Sequence, residues 1–176
     1  MIQIGAKPDS GFDDPIGMLT DCHRRIEHFL RILCVVAERA AGSSLTAEES
    51  LAVNAAIEYF HLGGNRHNAD EEESLFPRLR TALEPAMIDK INSLEIDHRA
   101  GDRLHVSIEE LYRNWMSRGS LTEHEIEQLV SATRRLEQIY QAHIALEEDV
   151  IFKSAAELLD TTAINAMGEE FRRRRA

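Results

Sequence analysis

The amino-acid sequence predicts an all-α protein folded as one up-down-up-down four-helix bundle. Three observations carry that prediction. The 176 residues hold only 4 prolines and 9 glycines, so long stretches rich in Leu, Ala, Glu and Arg run without a helix breaker. Within them, apolar residues recur every three or four positions, the spacing of one face of an α-helix. Capping signals and glycines interrupt the pattern at short intervals, as connections between antiparallel neighbours require.

Residues 1–15, MIQIGAKPDSGFDDP, show no periodicity and read as an irregular arm. The bundle is expected over residues 16–160. Its first helix carries Leu19, His23, Ile26, Leu30, Leu33, Ala37 and Ala40 on one stripe and stops at Gly42-Ser43-Ser44. Thr46 and Glu49 form a capping box that opens the second helix, with the stripe Val53, Ile57, Phe60, Gly64, His67, Glu71, Leu75 and Leu79. Gly63-Gly64 should weaken or kink that helix just before His67.

Pro85 suits the first turn of a third helix. Its stripe is Ile91, Leu94, His98, Asp102 (or Gly101), His105, Ile108, Tyr112 and Trp115, and Gly119 ends it. Thr122 and Glu125 form a second capping box. The fourth stripe runs Ile126, Leu129, Thr133, Leu136, Tyr140, His143, Glu147, Ile151 and Leu158. Residues 161–176 are expected to form a short helix or basic tail, with Arg172 to Arg175 as a solvated end favoured by the helix dipole.

The net charge of −11 argues against nucleic acid or an anionic membrane as the main partner. No apolar run approaches the roughly 20 residues of a membrane span, and the N-terminus lacks a signal-peptide pattern. Cys22 and Cys34 fall on one helix, roughly 18 Å apart along its axis and beyond disulfide reach. A reduced, cytoplasmic protein is the expectation.

Every predicted helix carries a histidine on its apolar seam. The second and fourth helices add a glutamate one turn further on, within two similar segments: HNADEEESLF from His67 and HIALEEDVIF from His143. Buried glutamate is rare unless paired, because an isolated carboxylate in a low-dielectric core is very costly. Reflecting each helix onto the next about its connecting turn brings His23, His67, Glu71, His98, His143 and Glu147 to nearly one height. In H-x-x-x-E the two side chains share a helix face, so each segment offers an imidazole and a carboxylate to one centre. Two such carboxylates can each bridge two cations, with the histidines as terminal ligands. Mixed imidazole and carboxylate ligation suits iron best, with manganese or zinc as substitutes. A ferritin-like alternative, with E-x-x-H at Glu58…His61 and Glu95…His98, fits less well. Its motifs fall on adjacent helices, and His61 lies about 240° around the helix from His67.

These segments, with DDPIGMLTDCHRRIEHFL around His23 and LEIDHR around His98, make the chain resemble the hemerythrin-like (HHE cation-binding) family over most of its length. The resemblance implies a hemerythrin-like bundle holding two non-haem iron ions with an oxo or hydroxo bridge. By motif position His23, His67, Glu71, His98, His143 and Glu147 would be the metal ligands, with Glu71 and Glu147 bridging. The implied partners are metal ions and a small diatomic such as oxygen or nitric oxide; a protein partner is unassigned. A binding module that binds or senses such a gas, or handles iron, is expected rather than an enzyme. A di-iron oxidase or peroxidase, an iron–sulfur repair-type activity and a metal-stabilised interaction domain without redox chemistry are the alternatives. Three positions depart from the family pattern: Asn68 and Asp102 stand where many relatives have histidines, and Lys153 where proline is usual. Asp102, His105 or water is then left to complete the second metal position.

The remaining candidates read more plainly. His28, His61 and His124 suit the surface, and Cys22 suits a packed thiol. Tyr140 either hydrogen-bonds near the metals or packs. Glu72, Glu73, Glu148 and Asp149 read as a solvated face.

Overall fold

The computed structural model describes residues 9–176, so residues 1–8 of the expected arm lie outside the described residues. Helix α1 spans Pro15–Ala40, with Asp14 capping it by accepting a hydrogen bond from the Gly17 amide. A left-handed turn at Ala41 and Gly42 ends it, and the Gly42 carbonyl accepts from the Leu121 amide at 3.1 Å. This bond ties the connection that follows α1 to the connection around residues 119–122 at one end of the bundle.

Helix α2 (residues 47–80) is one continuous rod of changing pitch. It runs as α-helix over Ala47–Tyr59, loosens into a π turn at Phe60–Gly64, tightens over Asn65–Asp70, loosens again at Glu71–Leu75 and finishes as Phe76–Arg80. The first loosened turn lies at Gly63-Gly64, where the sequence predicts weakness. Helix α3 is Pro85–Arg118, with proline in its first turn and Gly119 in the left-handed conformation behind it. Helix α4 (residues 123–158) has a third π turn at Glu147–Ile151, between Glu123–Leu146 and Phe152–Leu158. Both capping boxes are formed. The Thr46 and Thr122 hydroxyls accept from the amides of Glu49 and Glu125, whose carboxylates accept in return from the threonine amides at 2.9 Å.

The four helices pack as an up-down-up-down bundle. Helix α5 (Thr161–Arg173), capped by Asp160, packs against α1 and the Glu71–Leu75 turn of α2. The core has two parts. One apolar cluster, including Ile26, Leu33, Phe60, Tyr112, Trp115 and Leu136, fills the end with the α1–α2 and α3–α4 connections. The other, including Leu19, Phe76, Leu94, Phe152, Met167 and Phe171, fills the end beneath α5. Between them the seam residues are polar.

One open choice is decided and one stripe assignment needs correction. On α3 it is Gly101 that is buried and Asp102 that is exposed. On α4, Leu158 is exposed while Leu159 packs against the apolar cluster. Leu158 is the last helical residue, and the chain leaves the helix in an extended conformation at Leu159, which carries that side chain onto the cluster.

The arginine end also differs from the expectation of a solvated, dipole-favoured terminus. Arg174 donates to Asp70 (2.8 Å) and to the Ser74 hydroxyl (2.7 Å), and Arg175 donates to the other Asp70 oxygen (2.6 Å). Asp70 is fully buried, so its carboxylate recruits both guanidiniums. Only Arg172 and Arg173 face solvent.

Candidate metal centre

His23, His67, Glu71, His98, His143 and Glu147 meet in the polar layer, all buried. They form two overlapping groups, His23–His67–Glu71–Glu147 and Glu71–His98–His143–Glu147. Within each, one nitrogen or oxygen from every residue lies within 4.8 Å of the others. The carboxylates divide their oxygens between the groups. Glu71 Oε1 is 3.4 Å from His67 Nε2, and its Oε2 is 3.3 Å from His98 Nε2. Glu147 Oε2 is 3.1 Å from His23 Nε2, and its Oε1 is 3.2 Å from His143 Nε2. Each carboxylate therefore spans two histidine pairs, one formed by α1 and α2 and the other by α3 and α4.

The local helix geometry makes this possible. From His67 to Glu71 the chain is α-helical, so the i and i+4 side chains share a face. From Glu71 onward the pitch opens, and the Phe76 amide donates to the Glu71 carbonyl five residues back. In an α-helix, residues five apart point about 140° away from each other. The i→i+5 bond brings Phe76 over Glu71 instead. The Phe152 amide makes the same bond to the Glu147 carbonyl. Spacing of four from His to Glu and five from Glu to Phe, written twice, is thus one α turn followed by one π turn.

The same repeat grips the histidines of the other two helices. Glu148 accepts from His23 Nδ1 at 2.8 Å, and the Phe152 ring stacks on His23 at 5.4 Å between centroids. Glu72 accepts from His98 Nδ1 at 2.7 Å, and Phe76 stacks on His98 at 6.3 Å. A carboxylate on Nδ1 fixes the tautomer and leaves Nε2 with its lone pair toward the cluster. Glu72 and Glu148 are therefore not merely part of a solvated face; they orient two of the candidate ligands. The signal for this was present in the repeat, as the second Glu of each pair and the Phe. Asp70 had no such signal. His143 Nδ1 lies 3.7 Å from Asp97, too far for a hydrogen bond.

Asp102 and His105 belong to neither group. His105 Nε2 lies 3.1 Å from the Tyr140 hydroxyl, and its ring lies against Phe60 at 4.2 Å. Tyr140 packs, as one of its two expectations has it: its ring stacks on Phe60 within the first apolar cluster, and its hydroxyl bonds His105 and not a candidate ligand. His28, His61 and His124 are exposed, with His61 paired to Glu109 at 2.7 Å. Cys22 and Cys34 are free and buried. Glu58 is exposed and Glu95 pairs with Arg80, so neither E-x-x-H motif contributes its glutamate to the cluster.

Charge inside the layer is uneven. Burial alone would lower the His23 imidazole, but the adjacent Glu147 carboxylate, with Glu71 and Glu148, raises it to about 9. Burial, and then the charge on His23, holds His67 well below the usual histidine range. Burial and the neighbouring Glu147 raise Glu71 well above the carboxylate range. Burial also acts to raise Glu147, but contacts with His143 and His23 outweigh it and hold Glu147 low.

Cations fit this layer. All four oxygens of Glu71 and Glu147, and His23 Nε2, are buried without a hydrogen-bond partner. Carboxylates so placed are too costly to leave uncompensated. Imidazole nitrogens and carboxylate oxygens converging from four helices form a donor set suited to first-row divalent metals. The model of the hemerythrin HHE cation binding domain matches residues 14–155. The chain belongs to that family. A Haemophilus influenzae protein described as uncharacterized is 29% identical to this hemerythrin-family chain over 168 residues, spanning 93% of this chain and 91% of that protein. As a family member the chain is a metal-binding protein. Among the described residues no helix is long and apolar enough to cross a membrane.

Proposed function

We propose that this hemerythrin-like protein holds two non-haem iron ions and binds or senses a small diatomic such as oxygen or nitric oxide. One observation carries the reading: each buried carboxylate turns one oxygen toward each histidine pair. His23 and His67 would hold one ion, His98 and His143 the other, with Glu71 and Glu147 bridging. Residues 16–160 form the metal-binding bundle and residues 161–176 its cap. Four histidines and two carboxylates leave both ions short of a full octahedral shell, so open positions remain for water, a bridging oxygen or a gas. Bound iron would supply those positions and a redox couple. The protein's own residues fix the imidazole tautomers through Glu72 and Glu148 and exclude water with Phe76, Phe152 and the apolar clusters on either side.

Among the described residues the two ligand groups consist of His23, His67, Glu71, His98, His143 and Glu147, a set that supports metal and gas binding. The unpaired, buried cysteines suit a reducing compartment such as the cytoplasm. Chain loaded anaerobically with ferrous iron should give a near-ultraviolet chromophore on exposure to oxygen, bleach on reduction, and form a nitrosyl spectrum with nitric oxide. A protein that binds iron but shows no spectral response to either gas refutes the gas-binding reading.

A further inference from the structure

Helices α1 and α2 pack side by side and share one outer face. On α1 this face carries His28, Arg31, Ile32, Val35 and Arg39, spaced by three or four and turned away from the buried stripe. On α2 it carries Glu48, Leu51, Ala55, Glu58 and Leu62. Leu51 is 71% exposed, Leu62 54% and Val35 37%. The other large apolar side chains exposed among the described residues, Ile96, Val106 and Leu158, stand on α3 and at the end of α4. Ile32, Val36 and Ala52 line a groove between the two helices, with Arg31 and Arg39 along one bank and Glu48 and Glu49 along the other.

The charge on this face is divided by helix. From Ala47 to Leu62, α2 contains three glutamates and no lysine or arginine. Other charges of α1 find partners within the chain: Arg24 with Asp21, Arg25 with Asp9 at 2.6 Å, and Glu38 with Arg134 at 3.0 Å. Arg31, Arg39, Glu48 and Glu58 are exposed and form no salt bridge among the described residues. The antiparallel register is fixed by the Phe29–Tyr59 stack, 4.5 Å between centroids. It sets Arg39 level with Glu48, and Val35 and Ile32 level with Leu51 and Ala55.

We propose that this face is the interface of a homodimer, with two copies of the chain related by a two-fold axis parallel to the helices. Such an axis leaves heights unchanged and lays α1 of each copy on α2 of the other. Val35 and Ile32 then meet Leu51 and Ala55 of the second copy at the centre. Arg39 meets Glu48 of the second copy at the rim, and the axis makes that contact twice. An apolar centre within a polar rim is the anatomy of a specific interface. A two-fold axis across the helices would instead lay α1 on α1 and α2 on α2, and like charges so placed oppose association. A second copy is the occupant because the face supplies its own complement: the axis exchanges its basic and acidic banks.

Sedimentation equilibrium of the full chain at fixed metal content tests the dimer. Wild-type protein at about 100 μM should be dimeric, since interfaces of standard size bind with micromolar strength or tighter. Arg39→Glu and Glu48→Arg should each weaken association at least about tenfold, because each creates two like-charged contacts per dimer. Leu51→Glu, changed at a position that stands in solvent in the single chain, should do the same while circular dichroism shows intact helices. An equimolar mixture of Arg39→Glu and Glu48→Arg proteins restores opposite charges at both contacts. Native mass spectrometry should then show the mixed dimer in excess of either homodimer, which separates contact between copies from any effect within one chain. A monomeric wild-type protein, an unchanged dissociation constant in any of the three variants, or a mixture that stays monomeric overturns the proposal. A chain that dimerises only after residues 1–8 are removed assigns the face to its own arm and also overturns it.

Discussion

Removing Arg174–Ala176 should destabilise the protein far more than the loss of three terminal residues suggests. Both oxygens of the fully buried Asp70 are held by Arg174 and Arg175. Deleting one partner of a buried ion pair typically costs about 3–5 kcal/mol, because the remaining charge stays buried and unpaired. The arginines are themselves 18% and 21% exposed, so part of that cost is screened, and about 2–3 kcal/mol is expected here. For a chain of this size that corresponds to a fall in Tm of roughly 4–12 °C. The same truncation made in an Asp70→Asn background should cost less than half as much, since no charge is left uncompensated. Thermal unfolding of the four proteins, followed by circular dichroism at equal metal loading, gives the coupling directly. A truncated protein melting within about 2 °C of wild type, or equal losses in both backgrounds, would refute the latch.

Three further outcomes follow from the same contacts. Glu72→Ala and Glu148→Ala should each weaken metal binding about 10–100-fold, measured by competition with a chelator, while Glu73→Ala should not. His105, lowered to about 4 by burial and then by the charge of His61, is neutral in the fold. The unfolded chain binds its proton below about 6.5, so this contribution to stability is complete above pH 6.5 and is lost as pH falls from there toward 4, by up to about 3 kcal/mol. Urea midpoints at pH 7 and pH 4.5 should diverge less in His105→Gln than in wild type. Gly168→Ala would drive a Cβ into the Phe12 backbone carbonyl; the resulting shift of α5 should cost about 1–3 kcal/mol, read from the same unfolding curves.

Much of this molecule is legible in its sequence because the helical period is strict. The stripe through Leu19, His23, Ile26 and Leu30 is buried as its spacing predicts, and the capping boxes at Thr46 and Thr122 start helices where expected. The convergence of the six polar seam residues was also legible, since helix rise and turn position fix their heights. What escaped is what a uniform pitch cannot express. The π turns at Glu71 and Glu147 bring in Phe76 and Phe152 and let Glu72 and Glu148 reach histidines on other helices. Gly63-Gly64 marked one such turn, but Glu71 and Glu147 have no local breaker to mark theirs. Asp70 illustrates a different limit. An acid within an acidic run reads as solvated until a partner distant in sequence, here the arginine end, is seen to cover it.

The central claim is that Glu71 and Glu147 join two histidine pairs into a single two-metal site. Elemental analysis of chain grown in iron-rich medium, beside His23→Ala and His98→Ala, tests it most directly. About two irons per wild-type chain are expected, falling to one or fewer in either variant. One iron per wild-type chain, unchanged in one of the two variants, would contradict the shared-carboxylate site.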